Sequence, residues 1–118
     1  MKLIKQDRSA ATPSMSPIFE GSVQTQNLVT DDDAQILRVT AVTFEDGARN
    51  KRHHHTTDQV LIVTHGRGIV ATDTEQLHVA PGDLILILAG ERHWHGAEAG
   101  HDFTHLSILT PGHMTIEE

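Results

Sequence analysis

Short apolar segments separated by turn residues make up most of the chain. They are rich in Val, Ile, Leu and Thr, they are bounded by Gly, Pro, Asp or Asn, and none keeps a period of 3.6 residues over three turns. The pattern predicts β-strands near residues 21–28, 34–44, 58–64, 68–73, 75–80, 83–88 and 103–109. Evenly spaced short strands are typical of a sandwich or barrel, so we predict an all-β fold.

The beginning of the chain has a different character. Residues 8–17, RSAATPSMSP, are small, polar and interrupted by proline, which predicts an extended arm or loop. With 118 residues, the chain has the size of one domain. We therefore predict an N-terminal arm at residues 1–17 and a single barrel domain at residues 18–118.

Two predicted strands contain a run that is apolar on both faces, VLIV at residues 60–63 in one and LILIL at residues 84–88 in the other. A sheet with one face in water alternates apolar and polar residues, so an unbroken apolar strand needs cover on both faces. Another sheet of the same chain or a partner subunit would provide it. We expect a homodimer in which such a sheet packs against its mate.

Charge and composition exclude several classes of partner. The formal net charge of -7 opposes binding to nucleic-acid phosphates. No apolar run approaches the roughly 20 residues that span a bilayer, so we expect no membrane association. Because the chain has no cysteine, nothing indicates an oxidising compartment, and we expect a cytoplasmic protein.

Ten histidines stand out in a chain with one tryptophan and no tyrosine. His53 and His55 are two residues apart, as are His93 and His95, and alternate side chains of an extended strand share a face. Gln59 joins the face of His55 if the chain stays extended between them. We predict one divalent transition metal held by His53, His55, Gln59 and His93. Imidazoles with a neutral oxygen favour manganese or iron, with nickel, cobalt and zinc as alternatives.

The spacing of these residues resembles the two cupin motifs. In the first, Gly47, His53, His55, Gln59 and Gly66 match, with Gln where most cupins have Glu. In the second, Gly82, Gly90 and His93 match, while Leu88 replaces Pro and Ala97 replaces Asn. The resemblance implies a single-domain cupin, a double-stranded β-helix or jelly-roll barrel. The two departures from the second motif do not affect its imidazole ligand, His93.

A closer resemblance is to small single-domain cupins that include the manganese-dependent hydroxynitrile lyases of bacteria. It is carried by Gln59, LIVTHG, GERHWHGA and THLSI, and it covers roughly residues 19–109. HHHT replaces the usual HTHP before Gln59. The resemblance implies that His53, His55, Gln59 and His93 are ligands and that His95 and His105 line the cavity above the metal.

Four protein ligands leave about two open positions on a six-coordinate metal, as in a catalytic site. His95 and His105 are candidate catalytic residues, because imidazole exchanges protons near neutral pH. Alternatively, His95 only orients a ligand and His105 is a packed histidine bonded to backbone. The resemblance places Thr40 and Val42, which share a strand face, inside the barrel as part of the substrate pocket.

Three functions are compatible with such a site, each with a small-molecule ligand that is anionic or bears a hydroxyl or carbonyl group. The first is a lyase with the metal as Lewis acid and His95 and His105 as acid and base, cyanohydrin cleavage being the family example. The second is an iron or manganese dioxygenase. The third is a non-catalytic protein that binds a small ligand and returns it unchanged.

Overall fold

The structure, a computed structural model, describes residues 1–117 and contains thirteen strands and one short 3₁₀ turn at Arg8–Ala10. Within these residues, no helix is long and apolar enough to cross a membrane. The strands are β1 (Thr12–Pro13), β2 (Phe19–Glu20), β3 (Val23–Val29), β4 (Arg38–Phe44), β5 (Arg49–Asn50), β6 (His53–His55), β7 (Gln59–Gly66), β8 (Gly68–Thr72), β9 (Gln76–Val79), β10 (Leu84–Ile87), β11 (His93–Ala97), β12 (Phe103–Leu109) and β13 (Met114–Ile116).

Antiparallel pairing arranges the strands in two sheets. The first sheet has the order β1-β3-β4-β12-β7-β10. The second has the order β13-β6-β11-β5-β2, and β8 joins it by pairing with β11 and carries β9 on its other side. This all-β architecture confirms the fold class predicted from the strand pattern.

The core lies between the two sheets, where alternate residues of each strand point inward. In β7, Leu61 and Val63 are buried, and in the neighbouring β10 Ile85 and Ile87 are buried. The second sheet contributes smaller side chains to the same cluster. Its buried members are Val70, Val79 and Ala97. The apolar cluster fills one part of the interior, and the buried histidines occupy another.

All seven predicted strands are present, with ends shifted by a few residues. The largest shift is in the second, where the predicted strand 34–44 begins only at Arg38. The Arg38 guanidinium donates to the carbonyls of Ala34 and Leu37, which closes a turn there. Six short strands lay outside the predicted set: β1, β2, β5, β6, β11 and β13.

Residues at the start of the chain are tied to the first sheet. Thr12 and Pro13 pair with Thr25 and Gln24 of β3 as its edge strand. The side chain of Gln6 also donates to Thr64 on β7. The segment predicted as an extended arm or loop thus lies along the first sheet.

Candidate metal centre

Strand register brings the two histidine pairs together. β6 and β11 are antiparallel neighbours, and His53 lies directly opposite His93. The ring centroids of His53 and His93 are 4.2 Å apart, and His55 lies 5.0 Å from His53 and 5.6 Å from His93. One nitrogen from each ring lies within 4.8 Å of the other two. The structure therefore assembles the three imidazoles at one point.

Backbone carbonyls orient two of these rings. Nδ1 of His53 lies 2.7 Å from the carbonyl oxygen of Lys51, and Nδ1 of His93 lies 2.9 Å from that of Glu91. A carbonyl only accepts, so each Nδ1 carries the proton, and each Nε2 keeps its lone pair. This arrangement is typical of metal-ligating histidines.

Within the described residues, four buried side-chain atoms have no hydrogen-bond partner, and one of them is Nδ1 of His105. The other three, Nε2 of His55, Nε2 of His93 and Oε1 of Gln59, each belong to a residue predicted as a ligand. Leaving a buried acceptor unsatisfied costs about 1–3 kcal/mol. Three unsatisfied acceptors on neighbouring candidate ligands therefore indicate a binding site for a cation. The residues present therefore fit a divalent metal held by His53, His55, His93 and the Gln59 oxygen.

Burial keeps these imidazoles neutral. It lowers the pKa of His53 to about 3, with a further contribution from His93, and lowers that of His55 to about 4. The pKa of His93 is also lowered, chiefly by burial. Neutral imidazole is the form that binds a metal, so the set is ready for one at neutral pH.

His95 and His105 form a second, deeper pair. Nε2 of His105 lies 3.0 Å from Nδ1 of His95, and their exposed fractions are 0% and 4%, respectively. Burial, followed by the charge of His105, holds the pKa of His95 well below its usual value, and burial lowers that of His105 to about 4. Both residues are thus neutral and hydrogen-bonded to each other.

Asn50 on β5 fixes the orientation of His95. Its Oδ1 accepts from the backbone N–H of His95 at 2.8 Å, so its Nδ2 faces the ring and lies 3.1 Å from Nε2. Nε2 of His95 then accepts, Nδ1 carries the proton, and that proton is donated to Nε2 of His105. The sequence reasoning missed Asn50, because a lone asparagine three residues before His53 carries no ligand spacing.

A cavity of about 140 Å³ opens beside these groups. Its wall combines polar atoms with apolar side chains, and within the described residues it includes no Lys, Arg, Asp or Glu. The lining residues are Ile18, Phe19, Val42, Asn50, His53, His55, Gln59, His95, His105, Ser107, Leu109 and Met114.

Of the two predicted pocket residues on β4, only Val42 lines this cavity. Thr40 is half-buried two residues further toward the start of the strand, and its hydroxyl lies 3.4 Å from Oδ1 of Asn27 on β3. Residues at this end of β4 open toward a different surface hollow. Thr40 is therefore outside the cavity, although it shares a strand face with Val42.

The intervening residues His54 and Trp94 point away from the candidate metal ligands. Nδ1 of His54 lies 2.6 Å from a carboxylate oxygen of Glu117. The guanidinium of Arg49 lies 3.6 Å above the ring of Trp94, a cation–π contact on the opposite face of β11. Alternation along β6 and β11 thus places the candidate ligands on one face of the sheet and His54 and Trp94 on the other.

Comparison with known proteins links this geometry to cupins. The chain is similar to an (R)-mandelonitrile lyase from Granulicella tundricola, with 40% identity over 93 residues that cover 76% of this chain and 70% of that protein. A shorter stretch is 42% identical to an acireductone dioxygenase from a Sulfurihydrogenibium species, over 48 residues that cover 37% of this chain and 27% of that protein.

The fold agrees with these matches. The crystal structure of a cupin-like protein from Thermotoga maritima superposes with a TM-score of 0.86 at 31% identity, covering 95% of this chain and 89% of the other. The Cupin domain family matches residues 40–109, a span that includes the four candidate ligands, His95 and His105. The chain therefore belongs to the cupin superfamily.

Proposed function

We propose that this protein is a metal-dependent lyase that cleaves small cyanohydrins into a carbonyl compound and hydrogen cyanide. The observation that carries the proposal is the buried His95–His105 pair, joined at 3.0 Å, in the wall of the cavity that the candidate ligands His53, His55 and Gln59 also line. Similarity to an (R)-mandelonitrile lyase over 76% of the chain supports it.

The metal site supplies one part of the chemistry. His53, His55, His93 and the amide oxygen of Gln59 would hold a divalent ion, manganese or iron in our proposal. When bound, it would supply Lewis acidity toward a substrate oxygen. Because all four ligands are neutral, none of them offsets the charge of the ion.

His95 and His105 transfer the substrate proton in this proposal. The lone pair on Nε2 of His95 accepts the hydroxyl proton of the substrate in place of the Asn50 N–H. The carbon–carbon bond to the nitrile then breaks, and its electron pair leaves with cyanide. An imidazolium in this buried position is unfavourable, so the histidine pair returns the proton to cyanide and becomes neutral again.

The cavity suits a small molecule with an apolar body and one polar end. A cavity of about 140 Å³ is close to the roughly 150 Å³ known to accommodate benzene. Ile18, Phe19, Val42, Leu109 and Met114 offer an apolar wall for its body, whereas the histidines and Asn50 offer polar atoms for one end. An aromatic or short aliphatic cyanohydrin has such an apolar body and one polar end.

Mandelonitrile cleavage by manganese-loaded protein tests the proposal. We expect benzaldehyde to form with the wild-type protein, and turnover to fall by about 10² to 10⁴ fold in His95→Ala and His105→Ala. Metal content should remain at the wild-type level in both, because neither is a proposed ligand. Variants that keep both metal and full turnover would exclude the two histidines from the reaction.

A dioxygenase is the second candidate, favoured by the 48-residue match to an acireductone dioxygenase. It is distinguished by oxygen uptake on enol substrates with the iron-loaded protein. Oxygen consumption with no cleavage of mandelonitrile or of a smaller aliphatic cyanohydrin would replace the lyase proposal.

A further inference from the structure

The side chain of Gln59 is held in place by Ser107 on the neighbouring strand. Gln59 is 4% exposed, and its Nε2 donates to Oγ of Ser107 at 2.8 Å. Its Oε1 is buried with no partner, and Gln59 lines the same cavity as His53 and His55. We propose that Ser107 is a positioning residue that fixes the Gln59 amide as a metal ligand and so sets the affinity of the site, an inference that rests on the proposed metal centre.

Strand register explains why Ser107 reaches this amide. In the β7–β12 pair, Ser107 lies opposite Leu61, two residues along β7 from Gln59. Residues two positions apart on a strand share a face, so Ser107 and Gln59 are diagonal neighbours on the inner surface of the sheet. The contact therefore depends on the register of the sheet and not on a flexible loop.

An amide ligand needs this support more than an imidazole does. Only the oxygen of a primary amide can bind a cation, and rotation of the group by half a turn would present NH₂ instead. A serine hydroxyl holds the amide plane, and a cation then favours the orientation with oxygen inward. Holding a long side chain in advance also reduces the entropy lost on binding.

Two of the other proposed ligands are oriented by hydrogen bonds to the backbone. His53 and His93 are oriented by the carbonyl oxygens of Lys51 and Glu91, which side-chain substitution does not remove. Among the hydrogen bonds found within residues 1–117, the one to Ser107 is the side-chain contact that orients a proposed ligand. A substitution at Ser107 should therefore change the affinity for the metal while all four proposed ligands remain.

Two substitutions of nearly equal shape test the role of the hydroxyl. Ser107→Thr keeps it, and Ser107→Val replaces it with a methyl group; both are β-branched and suit a strand. We expect Ser107→Val to bind Mn²⁺ about 10–100-fold more weakly than wild type, and Ser107→Thr to stay within about threefold. Free Mn²⁺ is measured by electron paramagnetic resonance during titration of metal-stripped protein. Equal affinities in the two variants would overturn the inference.

The background Gln59→Ala separates positioning from a general effect on folding. Without the amide, the Thr and Val variants at position 107 should bind Mn²⁺ equally, because the hydroxyl has nothing to orient. A difference that persists in that background would overturn the proposal, since the hydroxyl would then act elsewhere. Ser107→Ala supplies a smaller counterpart if the added methyl groups prevent folding, and we expect it to match Ser107→Val. Failure of the wild-type protein to bind Mn²⁺ or Zn²⁺ would instead refute the metal centre itself.

Discussion

At the scale of single residues, the buried imidazoles make stability depend on pH. Imidazoles titrate near pH 6.5 in an unfolded chain, whereas burial lowers the pKa of His53 to about 3 and the pKa values of His55 and His105 to about 4. Between these limits the unfolded chain binds protons that the folded protein excludes. The stability that depends on these neutral histidines is therefore fully present above about pH 6.5. As the pH falls below that value, the free energy of unfolding decreases by about 1.4 kcal/mol per pH unit for each such histidine.

Urea unfolding of metal-stripped protein at about pH 7.5 and about pH 5.5 measures this loss. His55→Asn should weaken the dependence by at most about 1.4 kcal/mol per pH unit, because it removes one of the five histidines whose pKa is lowered and this one is only half-buried. His101→Asn is the matched control, since His101 is exposed on the surface. A free energy of unfolding that stays constant over this range would contradict the prediction.

Residue spacing predicted the cluster of His53, His55 and His93 but not its surroundings. A spacing of two positions between His53 and His55, and again between His93 and His95, places each pair on one strand face without knowledge of which strands are neighbours. Asn50 and Ser107 acquire roles only through pairing, β5 with β11 and β12 with β7. Their contribution depends on contacts across strands, which single-chain periodicity does not record.

At the scale of elements, the long strands were predictable and the short ones were not. β7 and β12 have seven or eight residues, enough for alternation to appear. β5 and β6 have two and three residues, and their extended form depends on their partner β11. The histidine cluster was therefore predictable from residue spacing, although two of its strands have almost no pattern of their own.

Close approach of β11 to β5 depends on Gly96. A Cβ atom at this position would lie 2.5 Å from Cβ of Arg49 and 2.6 Å from the carbonyl oxygen of Ala48. We expect Gly96→Ala to separate the strands, to destabilise the fold by about 1–3 kcal/mol and to displace Asn50 from His95. The melting temperature and the turnover should both decrease.

Gly100→Ala serves as the comparison for this prediction. Its Cβ would meet no atom within 4 Å, but its φ of +78° is left-handed, so the conformational cost of about 1–2 kcal/mol acts alone. It should lower the melting temperature without a specific loss of turnover. Wild-type melting and turnover in Gly96→Ala would show that β5 and β11 tolerate the wider spacing.

At the scale of the whole molecule, the first sheet carries an apolar stripe on its outer face. Leu84, Leu86 and Leu88 are 60%, 57% and 57% exposed at or beside β10, an edge strand of that sheet. In β7, Ile62 and Val60 lie opposite Leu84 and Leu86 and extend the stripe inward. Monomeric proteins rarely expose a contiguous apolar surface of this kind, and an edge strand with unpaired backbone groups favours association.

We predict that a second copy of the chain covers this stripe in a homodimer. A two-fold axis beside β10 would bring identical leucines together, so each subunit buries the other's apolar face. Light scattering at micromolar concentration should give twice the mass of 13.0 kDa for the wild type, and Leu86→Lys should shift the protein toward the monomer because it buries a charge. Leu77→Lys is the matched control, because Leu77 is also exposed but belongs to β9 of the other sheet. A monomeric wild-type protein, or equal effects of the two lysines, would show that β10 is not the interface.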